Sequence, residues 1–190
     1  MQARFSKLKA AAVAVAMTLP AMGTAKASDM EYQQVADLLH LVMSTDRTVY
    51  TRQVVARLAA KEKVIKASEH FVDDKALPLP AQMFRFGAEA VGEATDEFSY
   101  SLLSLWPINK QNAPTTPLEK EGLEYIAANV GENFYGEEEL GGSMYYTAVY
   151  PDTAVAEVCA TCHNDHKDSP RTDFKAGEVM GGVVIRIPME

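Results

Sequence analysis

The only two cysteines of this 190-residue chain stand three positions apart, and a histidine follows the second: Cys159-Ala160-Thr161-Cys162-His163. Cys-x-x-Cys-His is the covalent attachment pattern of a c-type haem. Each thiol adds its sulfur and hydrogen across one vinyl group of the porphyrin. The adjacent imidazole is then placed under the ring as the proximal iron ligand. One covalent haem c, held by Cys159 and Cys162 with His163 on the iron, is therefore the expected cofactor.

The N-terminus bears on the alternatives. Arg4, Lys7 and Lys9 precede an apolar run from Ala10 to about Met22, and Ala25-Lys26-Ala27 has the small-x-small form of a signal-peptidase site. Residues 1–27 are expected to be a signal peptide and 28–190 the mature domain, exported to the periplasm of a bacterium. The apolar run is too short to span a bilayer, and no later stretch qualifies. Loss of Arg4, Lys7, Lys9 and Lys26, with no acid among them, lowers the formal charge by four, from −8 to −12. So acidic a surface disfavours nucleic acid and suits a weakly held basic partner. In an oxidising compartment Cys159 and Cys162 could also pair as a redox disulfide, but those motifs open a helix in a βαβ setting, which nothing upstream resembles. A zinc site from Cys159, Cys162, His163 and His166 would need adjacent residues as tetrahedral ligands and lacks the usual wider spacing.

From Ser28 to about Lys66 no proline or glycine intervenes, and apolar residues recur at spacings of three and four: Val35, Leu38, Leu39, Val42, Met43, Val49, Val54, Leu58 and Ile65. The pattern predicts a long amphipathic helix, with Thr45-Asp46-Arg47-Thr48 as a possible break. Such a helix can cover a sheet or pair with a second copy of itself. Leu77-Pro78-Leu79-Pro80 reads as extended, with a helix from about Ala81 to Thr95 behind it. Phe98 to Ile108 reads as a strand limited by Pro107, Leu118 to Asn129 as a short helix, and Gly131 to Gly142 as turns. Ser143 to Tyr150 and Gly182 to Pro188 read as strands, with the haem segment between them. The order indicates an α+β fold with an antiparallel sheet rather than a doubly wound one. Leu103, Leu105, Trp106, Val149 and Val184 are expected to serve as core or as haem cover.

Several stretches occur in an order that carries a family resemblance. They are Leu77-Pro78-Leu79-Pro80-Ala81-Gln82-Met83, Trp106-Pro107-Ile108-Asn109, Asn112-Ala113-Pro114 and Tyr145 to Pro151. Cys159 to His163 and Val179-Met180-Gly181-Gly182-Val183 follow. Together they resemble the Tll-type c-haem domain, a PAS-like or Cache-like family. The resemblance implies a periplasmic monohaem protein whose PAS-like sheet cradles the haem, occurring alone or as the sensing half of membrane receptors. Some members are thought to use a cysteine as sixth ligand and others a methionine. This chain departs from the cysteine type, because both its thiols are needed for thioethers. No output domain follows the last strand, so a receptor role within this one chain is not expected.

For the distal side of the iron the sequence offers His40, His70, His166, Met43, Met83 and further methionines. His166 is held on the proximal side by its closeness to His163, and His40 reads as a face residue of the long helix. Met83 and His70 flank the extended Leu77–Pro80 segment, which the family places near the haem, and are the favoured candidates. Methionine would raise the reduction potential, histidine would lower it, and a vacant position would admit a small gas. Electron transfer with a redox partner protein leads among the functions. A redox or diatomic-gas sensor acting through a signalling partner, or as a homodimer through the N-terminal helix, is the alternative. An enzyme is not expected, because no distal acid–base pair is visible and Glu137-Glu138-Glu139 reads as a solvated charge run.

Overall fold

Two stretches are buried on both faces, and both become central strands. β3 (Ser143–Thr153) and β4 (Val179–Pro188) pair antiparallel along almost their whole length. β1 (Ser99–Leu103) lies outside β4 and β2 (Phe134–Leu140) outside β3, giving a four-stranded antiparallel sheet in the order β1-β4-β3-β2. This computed structural model describes residues 24–154 and 157–190, so most of the expected signal peptide lies outside the described residues. No helix among them is long and apolar enough to cross a membrane.

Strand alternation sorts the core into two faces. On one, Tyr146, Ala148, Tyr150, Val183, Ile185 and Ile187 pack with Ala36 and Phe84 from two helices, α1 (Thr24–Val49) and α2 (Pro80–Ala94). On the other, Val149 and Val184 pack with Leu123 and Ile126 of α3 (Pro117–Ala128). Helix α3 starts where a capping box and a proline coincide. Thr116 Oγ1 accepts from the Glu119 amide at 3.1 Å, Glu119 Oε2 accepts from the Thr116 amide at 3.0 Å, and Pro117 follows.

Glycines let α3 sit close to the sheet. A Cβ on Gly122 would meet Val149 Cγ2 at 2.6 Å and Phe134 Cδ1 at 2.8 Å. Val149 cannot swing away, because it is fully buried. Gly122→Ala is therefore expected to destabilise the fold by about 1–3 kcal/mol despite the better helix propensity of alanine, read as a fall in thermal midpoint.

The long N-terminal helix differs from expectation in two ways. It ends at Val49 and continues as π-type turns from Tyr50 to Lys61, close to the predicted break. Its apolar residues also form two stripes rather than one face. Tyr32, Ala36, Leu39 and Met43 meet the sheet, whereas Val35, Leu38, Leu41, Val42 and Val49 are exposed. The sheet offers one flat surface, and a helix can turn only about a third of its circumference toward it. The predicted strand to Ile108 is likewise shortened. It stops at Leu103, because Ser104 turns its amide to the Asn112 carbonyl at 2.8 Å and its hydroxyl to the Met180 carbonyl at 2.6 Å.

Candidate functional site

The Cys-x-x-Cys-His stretch forms α4 (Glu157–Asp165), a nine-residue helix between β3 and β4. At about 100° per residue, Cys159, Cys162 and His163 fall within an arc of about 100° and project to one side. Both cysteines are free thiols, Cys159 half-buried and Cys162 exposed. The two are not joined as a disulfide, and no cluster of three His, Cys, Asp or Glu side chains that could hold a metal ion occurs among the described residues.

The base of α4 is anchored by small contacts. Ala160 is fully buried with Ala154, Phe174 and Met180, and Trp106 packs on the same cluster. Asn164 clamps Phe174 through its backbone, accepting from the Phe174 amide and donating to its carbonyl, both at 2.9 Å. The His163 ring stands edge-on to Phe174 with centroids 6.1 Å apart. The Arg171 guanidinium closes the outer side, over Trp106 at 4.7 Å and Phe174 at 4.3 Å. Among the described residues no other helix or strand packs extensively along α4. A helix this short is not stable by itself, so its cysteine-bearing side needs cover.

Burial holds the His163 imidazole below its ordinary pKa, and the nearby Asp152 carboxylate opposes that fall. Asp152 ends β3 and is held by Arg47 of α1, whose Nη2 donates to its Oδ2 at 3.1 Å. The same carboxylate acts on His40, one helical repeat before Arg47 on α1, where burial again lowers the imidazole while Asp37 and Asp152 raise it. His40 stacks flat on Tyr150, with centroids 4.0 Å apart and an interplanar angle of 5°. Tyr150 is fixed in turn, since its hydroxyl donates to Asp37 at 2.8 Å. Neutral imidazole is the metal-binding form, and the ring nitrogens of neither histidine make a hydrogen bond among the described residues.

The remaining candidates are dispersed. His70 lies in a turn with its side chain 72% exposed, beside Glu69 at 3.6 Å. His166 accepts from the Asp168 amide on Nδ1, and its Nε2 lies 3.6 Å from Glu69. Met83 is half-buried on α2, next to Gln82, whose side chain bonds the Glu69 carbonyl at 2.8 Å. Met43 is packed into the core between α1 and the sheet. Leu103, Val149 and Val184, with Leu105 packed on them, lie under α3 and serve as core, while Trp106 reaches the base of α4. Sequence reading missed Arg47, Asp152 and Phe174. An acid closing an apolar strand, two residues after Tyr150, was the one visible signal.

A family model described as Tll0287-like matches residues 25–188. The chain belongs to the Tll0287-like family. Among solved structures, that of the cyanobacterial heme-protein Tll0287 aligns with 60% of this chain and 74% of its own at 16% identity, with a TM-score of 0.45. Comparison with curated proteins gives no match. The family match runs from the second residue of α1 to the last of β4, so it takes in α4 with Cys159, Cys162 and His163, and His40 on α1.

Proposed function

We propose that the chain is an exported c-type haem protein that transfers single electrons, with Cys159 and Cys162 as thioether donors and His163 as proximal ligand. A haem bound there supplies a one-electron couple at the iron. The observation that carries the reading is the exposure of Cys162 on a short helix whose other side is packed on Phe174 and Trp106. A group attached to that sulfur has an edge at the surface, where a partner can approach. Burial lowers the His163 imidazole from its ordinary pKa, which favours the neutral form that ligation requires. Membership of a family named after a heme-protein points the same way. The antiparallel sheet is read as PAS- or Cache-like, the compartment as periplasmic and the encounter with a redox partner as weak and electrostatically steered. No catalytic step is assigned.

The test is spectroscopy of protein exported with its leader in cells that mature c-type cytochromes. A pyridine haemochrome of the two-thioether kind, rapid reversible reduction and no binding of carbon monoxide by the ferrous form are the expected results. Tight carbon monoxide binding at neutral pH would overturn electron transfer. A redox or gas sensor is the second reading, favoured by the exposed stripe of Val35, Leu38, Leu41, Val42 and Val49 on the outer side of α1. It requires self-association or partner binding through that stripe to differ between oxidised and reduced protein. Identical sedimentation of the two forms without gas binding would remove it.

A further inference from the structure

We propose that His40 is the second axial ligand, so that the iron is held between two histidines from α4 and α1. This rests on the haem reading above and extends it to the far side of the ring.

Placement makes the argument. The inner face of α1 carries His40, Met43 and Arg47 across the sheet toward the end of β3, the strand from which α4 departs. Tyr150 and Asp152 lie two apart on one face of β3, so they tie both ends of that path. Tyr150 holds His40 by stacking, and Asp152 holds Arg47 by a two-pronged ion pair. His163 lies on α4, which begins at Glu157, five residues after Asp152, so the end of β3 that Arg47 grips is also the end from which the motif helix departs. Stacking occupies the face of the His40 ring and leaves its in-plane nitrogens free, which is the direction in which an imidazole binds a metal. The Asp37 hydrogen bond to Tyr150 fixes the stacking platform, so the ring is oriented before any ligand arrives.

The competitors fare less well on the same geometry. Met43 packs on the apolar core, His70 is exposed in a turn, and His166 accepts a hydrogen bond on Nδ1. Met83, half-buried on α2 beside the Phe84 ring that faces Arg47, is the sulfur competitor that the far-red band tests.

The experiment compares wild type, His40→Ala and His40→Met, each with a pyridine haemochrome on the same sample and circular dichroism to check the fold. Wild type should give the electron paramagnetic resonance and near-infrared signature of low-spin iron with two nitrogen ligands, without a far-red sulfur-to-iron band. His40→Ala should lose the low-spin signal, bind carbon monoxide when reduced and regain the low-spin form on adding imidazole. His40→Met should gain the sulfur band. A sulfur band in wild type, or a low-spin spectrum unchanged in His40→Ala, overturns this assignment while leaving the haem reading intact. A missing haemochrome in wild type overturns both. Should His40→Ala not fold, the wild-type near-infrared band decides between nitrogen and sulfur unaided.

Discussion

Arg186→Met is expected to destabilise the fold by about 3–5 kcal/mol at neutral pH, measured from the denaturant midpoint. The guanidinium lies between two carboxylates beneath α3. Its Nη2 donates to Glu119 at 2.8 Å and its Nε to Glu138 at 2.7 Å. The three side chains are 17%, 3% and 9% exposed, so water screens little of the interaction. Removing the cation leaves buried negative charge without compensation, which outweighs the apolar packing that methionine adds. The pH dependence gives a second readout. Burial pushes the Glu138 carboxyl up, but the Arg186 ion pair with the Thr116 and Thr147 hydroxyls outweighs it and leaves the group below its ordinary value. A carboxyl whose folded pKa is depressed contributes fully above its unfolded value and loses that contribution as pH falls through the folded one. In Arg186→Met the depressing cation is gone, so Glu138 binds its proton more readily than in wild type. The gap between variant and wild type should therefore be widest near neutrality and narrow toward acid. A gap of under about 1 kcal/mol at pH 7 would place the ion pair among weak surface bridges.

That network also marks where sequence reading was blind. Glu137-Glu138-Glu139 reads as a solvated run, and two of its members are solvated. Glu137 and Glu139 face outward on edge strand β2, while Glu138 points inward to Arg186. Alternation was present but masked, because a charged residue at an inward position looks like a break in the pattern. The turn was the better signal. Gly141 and Gly142 take φ of 61° and 86°, and they join Leu140 directly to Ser143. Paired glycines with positive φ make a two-residue hairpin, which requires a strand on both sides. Arg186, the lone charge in the apolar run Val183 to Ile187, then called for a buried acid opposite.

Elsewhere local chemistry was legible because it was decisive. Proline at the first turn set the starts of α2 and α3 within a residue, and the apolar runs of β3 and β4 located the sheet core. The Cys-x-x-Cys-His spacing was equally plain in the sequence. What surrounds it was not. Asp152 reaches Arg47 and acts on His40 over about a hundred residues of separation, and no periodicity encodes a contact of that range. The helical face was misjudged for the same reason. Val35, Leu38 and Val42 have the spacing of buried residues, and only the position of the sheet determines that Leu39 and Met43 are the ones covered.

Replacing both cysteines with alanine should abolish covalent haem and unfasten α4 while sparing the sheet. The helix is anchored by Ala160 and Cys159 on the Phe174 and Trp106 cluster and by the Asn164 clamp, while Thr161 and Cys162 are exposed. A nine-residue helix with half its cover missing has little stability of its own. Amide exchange in the double variant should therefore show protection near ~0 kcal/mol across Val158 to Asn164, the range of fraying segments. Amides of β3 and β4 should keep the slow exchange of the global fold, because their partners lie in the sheet and the two core faces. In wild type with haem attached, protection in α4 should rise far more than in β4. Equal protection of α4 in both proteins would mean that the contacts to Phe174 and Trp106 alone suffice. The helix would then be a preformed clamp rather than one completed by its cofactor. The distinction bears on electron transfer, since a couple enclosed in a preformed site needs less reorganisation when its charge changes.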